Sequence, residues 1–184
     1  SGSSFNADET TTLYAVWAKA YTITYDTNNG SNAPDAQTKI QGQTTKLSSS
    51  TPIRDGWTFL GWATSTSVVD PEYFAGGVFS VNADTVLYAV WEVRGTWGDN
   101  LTWVLDNCYC LTITGEGKMP DSCSPWETYC IRSVIINSGV TSLGINAFSA
   151  GTDNLTKVVI PDSVTKFSDR WAGPKLISAG PIGS

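Results

Sequence analysis

The six residues TLYAVW at 12–17 return almost unchanged as VLYAVW at 86–91. Leu13 maps onto Leu87 and Trp17 onto Trp91, an offset of 74 residues, and the match extends upstream as NADETTTLYAVW against NADTVLYAVW. No other feature constrains the fold as much, because each copy of a repeat must be one structural unit closed by the same strand. One complete unit runs from about Ala18 to Trp91, and residues 1–17 read as the C-terminal tail of a preceding copy. An orphan apolar strand seeks a sheet edge, so residues 5–17 are expected either to be disordered or to lie across a neighbouring edge.

A second, shorter period follows. SVIINSGVTSLG from Ser133 aligns with KVVIPDSVTKFS from Lys157, placing Ile136 over Ile160, Val140 over Val164 and Leu143 over Phe167, a period of 24 residues. That spacing suits leucine-rich repeats, in which each unit supplies one strand and a turn-rich return to a stacked solenoid. Two unequal periods argue for two domains meeting at residues 92–95.

Within the first unit, residues 21–26 alternate large residues with threonine, setting Tyr21, Ile23 and Tyr25 on one face and Thr22 and Thr24 on the other. Residues 56–64 read as an interior strand, with Trp57 and Phe59 on one side and Leu60 and Trp62 on the other. Residues 86–91 close the unit with Leu87, Ala89 and Trp91 opposite Tyr88 and Val90, both faces at least partly covered.

The chemistry available is limited. The 184 residues contain no histidine, which excludes Ser/His/Asp and Cys/His catalysis, His-bearing zinc sites and imidazole pH switching. The 17 Asp and Glu could in principle supply a carboxylate pair, yet most, such as Asp26, Asp35, Asp99 and Asp162, sit beside turn residues whose backbone they satisfy. DTNNG at 26–30 lacks the alternating acids and closing Glu of a calcium loop and reads as a hairpin turn. A net charge of −6, with eleven scattered Lys and Arg, leaves no basic footprint for nucleic acid or anionic membrane. No apolar run approaches a membrane span, so no membrane insertion is expected of this fragment. The reading is therefore of a non-enzymatic chain without cofactor or metal. The eight tryptophans invite a contact role; most lie inside repeat motifs and read as core, which leaves Trp97, Trp126 and Trp171 as the candidate binding surface. The NLT sequons at Asn100 and Asn154 read as turn asparagines.

YTITYDTNNGSNAP, PIRDGWTFLGWAT and NADTVLYAVW, in that order, resemble the Listeria–Bacteroides repeat, the internalin B-type B-repeat. The resemblance implies a small β-grasp-like module strung in tandem on bacterial surface proteins, without catalytic residues; Trp57 stands where a tyrosine is more usual. GDNLTWVLD, LTITGEGKM and SPWETY resemble the N-terminal cap of a BspA-type leucine-rich repeat domain, and VTSLGINAFSAGTDNLTKVVIPDSVTKF resembles its repeat. This second resemblance implies strands lining a concave sheet, with Phe148 packed between coils. It departs beyond Phe167, where Trp171 replaces the expected pattern, and fraying is expected beyond about Ala172.

Four segments follow: 1–17, the tail of a preceding B-repeat; 18–92, a B-repeat; 95–132, the cap of the leucine-rich repeat domain; and 133–184, truncated BspA-like repeats. The fold class is mostly β (α+β), a β-grasp-like module followed by a short solenoid with an N-terminal β-hairpin cap. Cys108, Cys110, Cys123 and Cys130 have no standard zinc spacing. In the surface-protein setting the resemblance implies, their even number favours two disulfides, with three possible connectivities, over free buried thiols. The implied function is that of a monomeric surface adhesin fragment on the bacterial cell surface or wall, binding a host extracellular protein such as an immunoglobulin, fibronectin or fibrinogen, with the B-repeat as stalk. A purely structural spacer and a carbohydrate-binding module of a secreted enzyme are the alternatives.

Overall fold

The computed structural model describes residues 14–149, 153–171 and 178–180. Among them there is no helix, so the α component of the expected class is not seen and the fold is mostly β.

The first module is built from β1 (Ala20–Asp26), β2 (Gln37–Ile40), β3 (Thr45–Lys46), β4 (Thr58–Ala63), β5 (Val78–Phe79) and the long β6 (Thr85–Trp97). The strict alternation of β1 buries Tyr21, Ile23 and Tyr25 and exposes the threonines, as its sequence dictates. β1 pairs antiparallel with β2 and parallel with β6, and β6 pairs antiparallel with β4. The resulting order β2-β1-β6-β4, with parallel central strands, is the β-grasp-like ladder. The small β3–β5 sheet lies in the connections and places Leu47 and Phe79 in the core.

β4 departs from expectation in two ways. A bulge shifts its register between Phe59 and Gly61, so Leu60 and Gly61 together oppose Val90. The extra residue brings Trp62 round to the side of Phe59, where their rings lie 5.0 Å apart and Trp62 is fully buried. Nor is β4 an interior strand: it pairs on one edge with β6, while its other edge is covered by a bridge between Trp62 and Tyr73.

The second module contains β7 (Leu101–Asp106), β8 (Cys110–Gly115), β9 (Gly117–Lys118), β10 (Ser133–Ile136), β11 (Val140–Leu143), β12 (Lys157–Val159), β13 (Lys166–Phe167) and β14 (Ser178–Gly180). β8, β10, β12 and β14 stack in parallel, and β9, β11 and β13 form a second parallel ladder. The 24-residue sequence period is the spatial register, with Ser133 beside Lys157 and Leu143 beside Phe167. These are the two walls of a solenoid. Phe148 lies between coils, stacked on Trp126 at 5.8 Å and edge-on to Trp171 at 6.5 Å. Fraying past Ala172 does not extend to residues 178–180, which continue the stack against β12; residues 172–177 and 181–184 lie outside the described residues. Of the N-terminal tail, residues 14–17 form no strand and Trp17 is 91% exposed, so they do not lie across a sheet edge; residues 1–13 lie outside the described residues.

Candidate functional site

The two modules meet on one strand. Glu92 pairs with Thr58 of β4 and with Asp106 of β7, so β4 and β7 flank opposite edges of β6. Tyr88 pairs with Asp26 of β1 and Ala63 of β4, so β1 and β4 are likewise opposite. β1 and β7 therefore follow one another along the same edge of β6. Residues 92–95, where the two repeat periods meet, are continuous strand. The odd-numbered residues of β6 serve both cores: Leu87, Ala89 and Trp91 belong to the first, and Val93 and Trp97 pack in the second.

Between the end of β1 and the end of β7, two asparagines take the place of a strand. Asn28 Nδ2 donates to the Ala89 carbonyl (3.0 Å), and the Trp91 amide donates to Asn107 Oδ1 (3.1 Å). Asn107 Nδ2 also donates to the carbonyls of Thr66 (3.1 Å) and Val68 (3.3 Å), so one buried side chain of the second module ties down a loop of the first. Buried backbone polar groups left unpaired are costly, which is why amide side chains occupy this gap.

Beside them Trp57 packs against both cores, edge-on to Tyr109 (6.2 Å) and Tyr129 (5.9 Å). The Arg54 guanidinium lies 3.8 Å over the Trp57 ring and donates to Tyr109 Oη (3.3 Å), while Arg132 lies 5.3 Å over the Tyr109 ring. Trp has the strongest ring quadrupole for such a cation, which gives the tryptophan at this position a physical role. Neither Asn107 nor this cluster stands out in the sequence: Asn107 looks like any turn asparagine, and Arg54, Tyr109 and Arg132 are far apart in the chain.

The open face of the large sheet is the other candidate surface. Strand register sets Arg94, Val104, Thr112, Ile135 and Val159 in one row across β6, β7, β8, β10 and β12. A neighbouring row carries Cys110, Ser133 and Lys157. The aliphatic residues are half-buried and the two cations exposed. At the seam end of this face a hollow of ≈ 190 Å³ is lined by Leu60, Val69, Asp70, Glu92 and Asp106 among others. Two of its three carboxylates are engaged: Glu92 pairs with Arg94, and Asp106 Oδ1 accepts from the amides of Cys108 (2.8 Å) and Cys110 (2.9 Å). Among the described residues no group of three His, Cys, Asp or Glu is placed to hold a metal.

Burial pushes the Asp106 carboxyl above its ordinary value, and the two amide donors partly offset this. A raised folded pKa means that its contribution to stability is fully present below the unfolded carboxylate range and is lost as pH rises through the folded value. Asp106→Asn keeps the Oδ1 acceptor and removes the buried charge. The variant is expected to match the parent in acid and exceed it in denaturant midpoint at neutral pH.

The sequence-derived site residues are distributed differently from expectation. Trp97 and Trp126 are buried, 6% and 0% exposed, and stack edge-on at 4.7 Å in the solenoid core, so they are not contact surface. Trp126 Nε1 donates to the Ala147 carbonyl (3.0 Å), which satisfies its one polar atom internally. Trp171 is half-buried against Phe148 and Phe167. Cys108, Cys110, Cys123 and Cys130 are all free thiols. Non-covalent contacts tie the hairpin to the segment that follows it: Arg132 and Ser133 amides donate to the Tyr109 carbonyl. Cys123 and Cys130 are exposed, whereas burial raises the thiols of Cys108 and Cys110. Since the thiolate is the nucleophile, iodoacetamide at neutral pH should label Cys123 and Cys130 well before the other two. Peptide mapping reads this directly, and failure to label any of the four without reductant would restore the disulfides.

Residues 21–90 match the family model of the Listeria-Bacteroides repeat domain. A solved leucine-rich repeat protein from Eubacterium ventriosum is 32% identical over the matched region, with a TM-score of 0.45, covering 50% of this chain. The match spans 26% of that protein's length. A comparison with curated proteins gives no match.

Proposed function

We propose, taking the Listeria-Bacteroides repeat at residues 21–90 as the premise, that this chain is a non-enzymatic element of a bacterial surface protein, in which the repeat is a stiff mount for the solenoid. The observation that carries this reading is the shared strand: β6 enters both cores without a break, and Trp57 and Asn107 bind the modules to each other beside it. Modules joined by a flexible linker move independently by default, whereas a common strand with a packed seam fixes one angle. Small-angle scattering of the parent should fit one rigid shape. Trp57→Ala combined with Asn107→Ala should broaden the distance distribution, and a parent curve that already needs an ensemble of inter-module angles would sink the mount.

The binding half of the proposal rests on the open face. Val104, Ile135 and Val159 line one row, with Thr112 between the first two and Arg94 and Lys157 beside them. An apolar centre with a polar rim suits a protein partner better than a sugar, and no exposed tryptophan platform lies on this face. The partner class is a host extracellular protein, and biolayer interferometry against a panel including immunoglobulins, fibronectin and fibrinogen tests it. Saturable binding that Ile135→Arg abolishes supports the adhesin; a silent panel leaves the mount alone as the function.

A further inference from the structure

We infer that the first module is built to carry tension along the chain, as a shear clamp formed by β1 and β6. This deepens the mount reading and rests on it only for the source of the load. The chain enters the module at the start of β1 and leaves it along β6, and these two strands run parallel in register from Ile23 beside Thr85 to Asp26 beside Tyr88. Pulling on the chain on either side therefore draws the two strands past each other from opposite ends. In that geometry every ladder bond resists together, whereas strands pulled from the same end unzip, each bond bearing the whole load in turn.

Side chains lengthen the ladder at both ends. Below it, the Thr22 amide donates to Asp84 Oδ1 (2.7 Å). Above it, Asn28 Nδ2 donates to the Ala89 carbonyl (3.0 Å) and Trp91 Nε1 to the Thr27 carbonyl (2.9 Å). The sheared interface thus extends from Thr22 and Asp84 at one end to Asn28 and Trp91 at the other, well beyond its four residue pairs. Both strands are also anchored through the core by Ile23, Tyr25, Leu87 and Trp91.

The solenoid meets the same load in the weaker geometry. β6 and β7 are antiparallel, with Glu92 beside Asp106, so tension entering at Glu92 and leaving beyond Asp106 opens that hairpin from one end. The order of failure follows: solenoid coils peel first and the first module holds longest.

Single-molecule force spectroscopy of the whole chain, held between marker domains, tests this. Expected are low-force steps of about 80 Å, one coil each, before a final high-force release of roughly 230 Å, on an extended reach of about 3.3–3.6 Å per residue. Asn28→Gly, which keeps the left-handed backbone at that position (φ 46°) but removes the donor to the buried Ala89 carbonyl, should lower both the final force and the denaturant midpoint while leaving the forces of the coil steps unchanged. Applying force instead between Lys19 and a handle inserted at Gly42 loads β1 and β2, where Ala20 lies beside Ile40, from one end. That direction should rupture far below the first. If both directions break at the same force, or the 230 Å release precedes the coil steps, the clamp is refuted; scattering judges the mount separately, so either can fail alone.

Discussion

Replacing Trp126 with alanine is expected to cost about 3–5 kcal/mol, the range for emptying a large aromatic from a core. The indole is wholly buried and is the hub of the second core, in ring contact with Trp97, Trp103 and Phe148. Truncation removes those contacts and leaves the Ala147 carbonyl without its donor. Because Phe148 also touches Trp171, the damage spreads along the stack and is not confined to the cap. Urea unfolding followed by circular dichroism would show the midpoint falling, and a loss under about 1 kcal/mol would contradict this account of the core.

Gly61→Ala should damage the first module almost as severely, by about 3 kcal/mol, for a steric reason. At its φ of 155° an added Cβ would lie 2.5 Å from the Tyr73 carbonyl and 2.6 Å from Pro71 Cβ. Tyr73 is held there by backbone bonds with Trp62 in both directions, so neither side can yield cheaply. The bulge that swings Trp62 into the core needs a residue with no side chain at this point. Ala63→Gly, further along the same strand, is the useful contrast: it leaves a void without a clash. If Gly61→Ala shifted the midpoint no more than that variant, the bulge would not be the determinant argued here.

The same bulge shows where sequence reasoning succeeds and where it stops. Alternation places Tyr21, Ile23 and Tyr25 on the core side of β1 because a strand's period of two is local. The 24-residue offset yields the solenoid register, since stacked coils must repeat in space what they repeat in sequence. One inserted residue in β4 defeats a period-two argument, and nothing local announces that Gly61 will be opposed by Tyr73 and Pro71. Trp97 and Trp126 stand out in the sequence because they fall outside the plainest repeat positions, yet they are buried because the end of β6 and the cap loop converge on one core. Asn107 is invisible for a related reason: its partners lie 16, 39 and 41 residues away, and only the closed fold brings them together.

The length of β6 also bears on how such proteins are assembled from modules. After Trp17 two residues precede β1, whereas after the equivalent Trp91 the strand runs on through Trp97 and pairs with β7. The added stretch pairs with β7 and so covers an edge of the solenoid's first hairpin. By its pairing it belongs to the cap, although it is continuous with the last strand of the repeat. A gene fragment that begins at Glu92 carries a solenoid with its edge protected; one that begins at Leu101 exposes a raw strand to the next chain it meets.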